Sequence, residues 1–147
     1  MNLTTRGRYG IRAISYIGEN ATNKPVPLSQ IAEDLNLSDK YLEQLLRLLK
    51  RDGIITSQRG AHGGYYLNRP SNTISLREII NSLEGESFDF GCVDPSCNVV
   101  SCPTKGLSIK LEKAISSVID NYTLDDLIND RLEENNQKNI WGEKWIN

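Results

Sequence analysis

Apolar residues at Tyr9, Ala13, Tyr16 and Ile17 recur at helical spacing, with Arg6, Arg8 and Arg12 on the remaining faces, which predicts an amphipathic helix over residues 5–19. The turn-rich run 20–27, with Pro25 and Pro27, closes it. Ser29 can cap a short helix over 29–35, residues 36–38 make a tight turn, and a longer helix is expected over 39–51. Leu42, Leu45, Leu46 and Leu49 form its apolar stripe, while Lys40, Tyr41, Glu43, Gln44, Arg47 and Lys50 occupy the other faces. Two helices joined by so short a turn, the second polar along one side, are the pattern of a helix-turn-helix.

Beyond Gly53 the periodicity shifts. Residues 54–58 are rich in β-branched side chains and read as a strand, with 65–67 as its partner. Between them Arg59, Gly60, Ala61, His62, Gly63 and Gly64 form a glycine-rich tip with one fixed cation, the composition of a DNA-binding wing. Ser75 and Glu78 have the spacing of a capping box, opening a helix with Leu76, Ile79, Ile80 and Leu83 inward and Gly85 at its end. Residues 86–106 show neither period and read as a functional loop. Leu107, Leu111, Ala114, Ile115, Val118 and Tyr122 then trace a helical stripe too apolar for a lone surface helix, so Leu111, Ala114, Ile115 and Val118 are expected to pair with a second copy. Thr123 opens a last short helix with Leu127, Ile128 and Leu132 inward.

The expected fold is therefore mainly α: a winged helix-turn-helix with a two-stranded wing and a long C-terminal dimerisation helix. Four regions follow: a winged-helix DNA-binding domain (1–84), a cysteine-containing loop (85–106), the dimerisation helix with its short packing helix (107–132) and a polar tail (133–147).

The 147 residues, 38% hydrophobic and 24% charged, place the chain in the ordinary globular class. No apolar run approaches the ~20 residues that span a bilayer, and the N-terminus lacks a secretory pattern, so a cytoplasmic location is expected. The net charge of −2 is unevenly distributed. Residues 1–69 hold ten Lys and Arg against six Asp and Glu, and residues 70–147 hold seven against thirteen. The basic half is the one that carries the helix-turn-helix and the wing, as contact with phosphates requires.

On the second helix of that motif, Lys40, Tyr41, Arg47 and Lys50 suit phosphate and base contacts. Gln44 can read adenine with its amide, and Glu43 either accepts from a cytosine amino group or merely decorates the helix. His62, amid wing glycines, suits the DNA backbone or solvent. Cys92, Cys97 and Cys102 are the three cysteines of the chain and lie within eleven residues. An odd, tight cluster points to metal or redox chemistry before disulfides. Three thiolates suit iron–sulfur ligation, and zinc with one further ligand competes.

The order Leu3-Thr4-Thr5-Arg6-Gly7-Arg8-Tyr9, then Tyr41-Leu42-Glu43-Gln44-Leu45, then Arg59-Gly60-Ala61-His62-Gly63-Gly64-Tyr65 resembles the bacterial winged-helix repressor family that includes the IscR, NsrR, RirA and CymR regulators. The resemblance covers roughly the first 130 residues. It implies a homodimer on a double-stranded DNA operator, with the helix bearing Lys40, Tyr41, Glu43, Gln44 and Arg47, and Ser38 at its start, in the major groove. It also implies a wing of Arg59, Gly60, His62 and Gly63 at the adjacent minor groove. Cys92, Cys97 and Cys102 are similar to the cluster-ligand loop of the IscR, NsrR and RirA branches, which CymR-like members lack. That implies an iron–sulfur cluster, two-iron or four-iron. The sequence departs at the fourth ligand: Lys105 stands where IscR-like loops place a histidine, and Arg8 near where NsrR-like members place a carboxylate. Lys105, when protonated, has no lone pair to offer iron.

The function expected is a transcription repressor sensing cluster status and controlling cluster biogenesis and related cysteine and sulfur genes. Two rivals are a CymR-like repressor of cysteine metabolism acting through a partner enzyme, and a zinc or redox protein of the Cys loop. No general base, second metal set or substrate pocket is evident, so an enzyme is not expected.

Overall fold

The computed structural model describes residues 3–85 and 102–141, with side chains described as far as residue 135. In chain order it comprises α1 (Thr5–Asn20), α2 (Leu28–Leu35), α3 (Asp39–Arg51), β1 (Ile55–Gln58), β2 (Gly64–Leu67), a 3₁₀ turn (Ser71–Thr73), α4 (Leu76–Glu84), α5 (Lys105–Asn121) and α6 (Leu124–Trp141). This is the winged helix-turn-helix that the periodicity predicts. β1 and β2 run antiparallel, with Ile55 opposite Leu67 and Gln58 opposite Gly64.

Where a local signal is strong, the structure follows it. Ser38 caps α3 by accepting from the Tyr41 N–H, and Ser75 and Glu78 form a complete capping box at α4. Gly85 ends α4 at φ 97°, a left-handed conformation that a Cβ would penalise.

Three helix boundaries and one side chain differ notably from expectation. Ser29 is not the cap of α2, because Pro27 is the extended N-cap residue and Ser29 lies inside the helix. The cause is tertiary: Val26 exchanges two backbone hydrogen bonds with Tyr65 of β2, at 2.8 and 2.9 Å, which extends the chain up to the helix start. The run 20–27 thus ends in a one-residue third strand. α5 begins at Lys105, inside the expected loop. α6 continues to Trp141, through the start of the expected tail, and Leu132, expected inward, is 48% exposed.

One core joins the parts. Ile14 and Ile17 of α1, Ile31 of α2, Leu42, Leu46 and Leu49 of α3, Ile54 and Ile55, Ile79 and Leu83 of α4, and Leu124 and Ile128 of α6 form one buried cluster. Each such side chain contributes about 1.5–3 kcal/mol on burial, more than a typical exposed ion pair, so apolar packing positions α3 and the wing. The helix pairs approach closely at glycines: a Cβ at Gly10 would collide with Leu83, and one at Gly18 with Ile128. α6 is anchored to α4 by Leu76 N–H donating to Tyr122 and Leu124 N–H donating to Ile74, at 2.7 and 2.9 Å.

Candidate nucleic-acid interface

The apolar stripe of α3 faces the core, so its polar residues must face out. Lys40, Glu43, Gln44 and Arg47 are exposed, as expected. Ser38 is exposed, but its hydroxyl serves as the helix cap at 3.2 Å from the Tyr41 nitrogen. Tyr41 is half-buried and meets the Tyr9 ring of α1 edge-on, with centroids 6.2 Å apart, so its ring is oriented by packing. Lys50 donates to the Ser57 hydroxyl of β1 and ties the end of α3 to the wing.

The wing tip projects from the other side of α3. Arg59, Gly60, Ala61 and His62 are exposed, and Gly63 donates to the Gly60 carbonyl at 3.0 Å to close the turn. Gly60 has φ 112°, and a Cβ at Gly64 would strike the Val26 carbonyl, so the tip needs glycine at both places. Tyr65 is half-buried beside Glu43 and Arg47, and burial first, then the Glu43 charge, push its phenol above the ordinary value. It packs the wing strand against the core and bridges to Val26 ahead of α2.

Two grooves flank α3. Glu43, Arg47, Lys50 and Tyr65 line the one toward the wing; Arg6, Tyr41, Gln44, Leu45, Arg47 and Leu48 line the one toward α1. The participation of Arg6 was not legible, because periodicity places it merely off the buried face of its own helix.

Of the cysteines, Cys92 and Cys97 lie outside the described residues. Cys102 stands just before α5, half-exposed, with its Sγ 2.9 Å from the Thr104 hydroxyl. That hydroxyl, then the Thr104 and Lys105 N–H groups, hold its thiol below the usual value, favouring the thiolate that soft-metal ligation uses. Lys105 is exposed on the first turn of α5, and Arg8 is exposed on α1.

On α5 the expected stripe divides. Leu107, Leu111 and Val118 are 59%, 49% and 61% exposed and Ala114 is also exposed, whereas Ile115 is half-buried. Ile119, outside the expected set, is the buried residue of that helix.

The sequence matches the Rrf2 family, described as iron-dependent transcriptional regulator, over residues 3–130. It is 36% identical over 133 residues to Protein rrf2 of Nitratidesulfovibrio vulgaris, covering 88% of this chain and 89% of that protein. The fold is similar to CymR, the global cysteine regulator of B. subtilis, with TM-score 0.78, 33% identity and coverage of 88% and 97% of the two chains. It is also similar to T. potens IscR, with TM-score 0.73, 36% identity and coverage of 89% and 88%.

Proposed function

This chain belongs to the Rrf2 family of DNA-binding transcriptional regulators, and from that premise we propose that it is a homodimeric repressor whose hold on its operator depends on an iron–sulfur cluster. The observation that carries the DNA-binding part is the exposed polar face of α3, set beside an exposed Arg59 wing on a buried scaffold. In this reading α3 enters the major groove, where Gln44 pairs with adenine and Glu43 accepts from cytosine. Lys40 and Arg47 neutralise phosphates, and Arg59 enters the minor groove.

Cys92, Cys97 and Cys102 would hold the cluster. The donor set fits: three thiols lie within eleven residues, and Cys102 is half-exposed in surroundings that favour thiolate. A bound cluster supplies a coordination centre whose presence follows iron, sulfide and oxidant supply. Cys92 follows α4 closely in sequence, so ligation there acts on the helix that packs against α1 and α3. Leu107, Leu111, Ala114 and Val118 recur at the four-three-four spacing of a helix-pairing seam and support the homodimer. Action is in the cytoplasm, on genes of cluster biogenesis and sulfur supply.

Anaerobic reconstitution with iron and sulfide tests the reading. Wild type takes up iron and sulfide stoichiometrically and gains visible absorbance, C92A, C97A and C102A do not, and DNA affinity differs between the two forms. Uptake of zinc alone, or identical regulation by the triple variant, defeats the sensor reading. A second reading, control of cysteine metabolism through a partner protein, is favoured by the likeness to CymR. It predicts DNA binding that answers to a captured partner and is indifferent to iron.

A further inference from the structure

α1 borders α3 along a face that carries cations. Arg6, half exposed, closes the groove lined by Tyr41, Gln44 and Arg47 of α3. Arg12, exposed, lies with its guanidinium 5.3 Å from the centre of the Tyr9 ring, and Tyr9 in turn meets Tyr41. From α3, then, one side leads through Lys50 and Tyr65 to the wing, and the other through Tyr41 and Gln44 to Arg6 and Arg12. A helix seated in the major groove has a phosphate strand on each side, because that groove is about 12 Å wide and the helix nearly fills it.

The N-terminal end of α1 itself is already occupied. Glu84, whose side chain is 3% exposed, accepts from the Thr4 N–H at 3.0 Å and the Thr4 hydroxyl at 2.6 Å. Its other oxygen lies 3.7 Å from the Arg6 guanidinium, which orients that side chain without using up its five donors. A phosphate here would therefore meet arginine side chains, while the buried Glu84 carboxylate is already held by Thr4.

We propose that Arg6 and Arg12 form a phosphate clasp for the DNA strand that borders α3 on the side away from the wing. The clasp rests on the DNA-binding reading above and extends it. It fixes the register of α3 in the groove and reads no base, since phosphate contacts position while base-edge contacts specify.

The test uses full-length protein and a fluorescein-labelled duplex that wild type selects from a random-sequence library. Each phosphate contact contributes about 0.9 to the slope of log affinity against log salt, and R6Q/R12Q removes two contacts from each subunit of the dimer, so it should flatten the slope by roughly 3.6 and shrink the fall in affinity between about 0.05 and 0.2 M salt on the order of a hundredfold. R6K/R12K should keep the slope, and R6Q/R12Q should reselect the wild-type motif. An unchanged slope in R6Q/R12Q beside a flattened one in R59Q overturns the clasp and leaves the DNA-binding reading standing. A changed motif also overturns it, by placing the arginines on base edges. Failure of wild type to enrich any duplex overturns both.

Discussion

Gly10 shows how much one hydrogen atom decides. An alanine inside a helix is ordinarily worth about 1 kcal/mol over glycine. At Gly10 the added Cβ meets Leu83, which is 1% exposed and has nowhere to retreat. Gly10→Ala is therefore expected to destabilise, by about 1–3 kcal/mol as for other overpacked sites, and urea unfolding followed by circular dichroism gives the sign. At the wing the relevant quantity is charge. Arg59→Ala should weaken DNA binding and, with one wing lost from each subunit of the dimer, flatten its salt slope by about 2 with no loss of thermal stability, since the side chain is exposed at a turn tip. A stable variant with the wild-type slope would remove the wing from the DNA. Both roles of Arg59, exposed and cationic, were legible in the sequence, whereas the sequence marks Gly10 only as one more helical residue, because Leu83 is 73 positions away.

At the scale of elements, the starts of α4 and α6 act as a pair. Ser75 and Thr123 form an antiparallel bridge, and each heads a box in which a carboxylate three residues on accepts from the N-cap. Burial pushes the Glu78 carboxyl up, but hydrogen bonds from Ser75 and Arg69 outweigh it and hold the group below its ordinary value. The Thr123 hydroxyl and N–H do the same for Asp126. Groups with depressed values stabilise the fold fully above their unfolded values, near 4, and lose that stability as pH falls through the folded ones. The melting temperature should thus be flat from about pH 7 to 5 and fall below about pH 4. In an E78Q/D126N variant the acid-side fall should be shallower; an identical profile would assign acid sensitivity to other carboxylates.

For the whole molecule, the open question is what covers α5. Val118 is 61% exposed in a single chain, so a charge there costs the isolated subunit little, but in a helix seam it has no partner. Val118→Glu is expected to yield monomers by sedimentation with helix content retained, and an intact dimer would move the interface off this stripe. Ile119→Glu is the contrasting case: it should unfold the C-terminal helices of each subunit, because Ile119 is 6% exposed.

The sequence by itself determined the helices of the helix-turn-helix, the hairpin, the Ser75 capping box and the exposed face of α3. These depend on residues within about four positions of one another, where spacing dictates geometry. Only the tertiary structure decided where α2 begins, since Val26 answers to Tyr65, and which side of α5 is left open, since α4 covers one apolar side of a helix that has two. The placement of Arg6 beside α3 and the anchoring of Thr4 by Glu84, eighty positions away, belong there too. No periodicity encodes such contacts, because they arise when separate apolar faces bury one another and carry their polar neighbours with them.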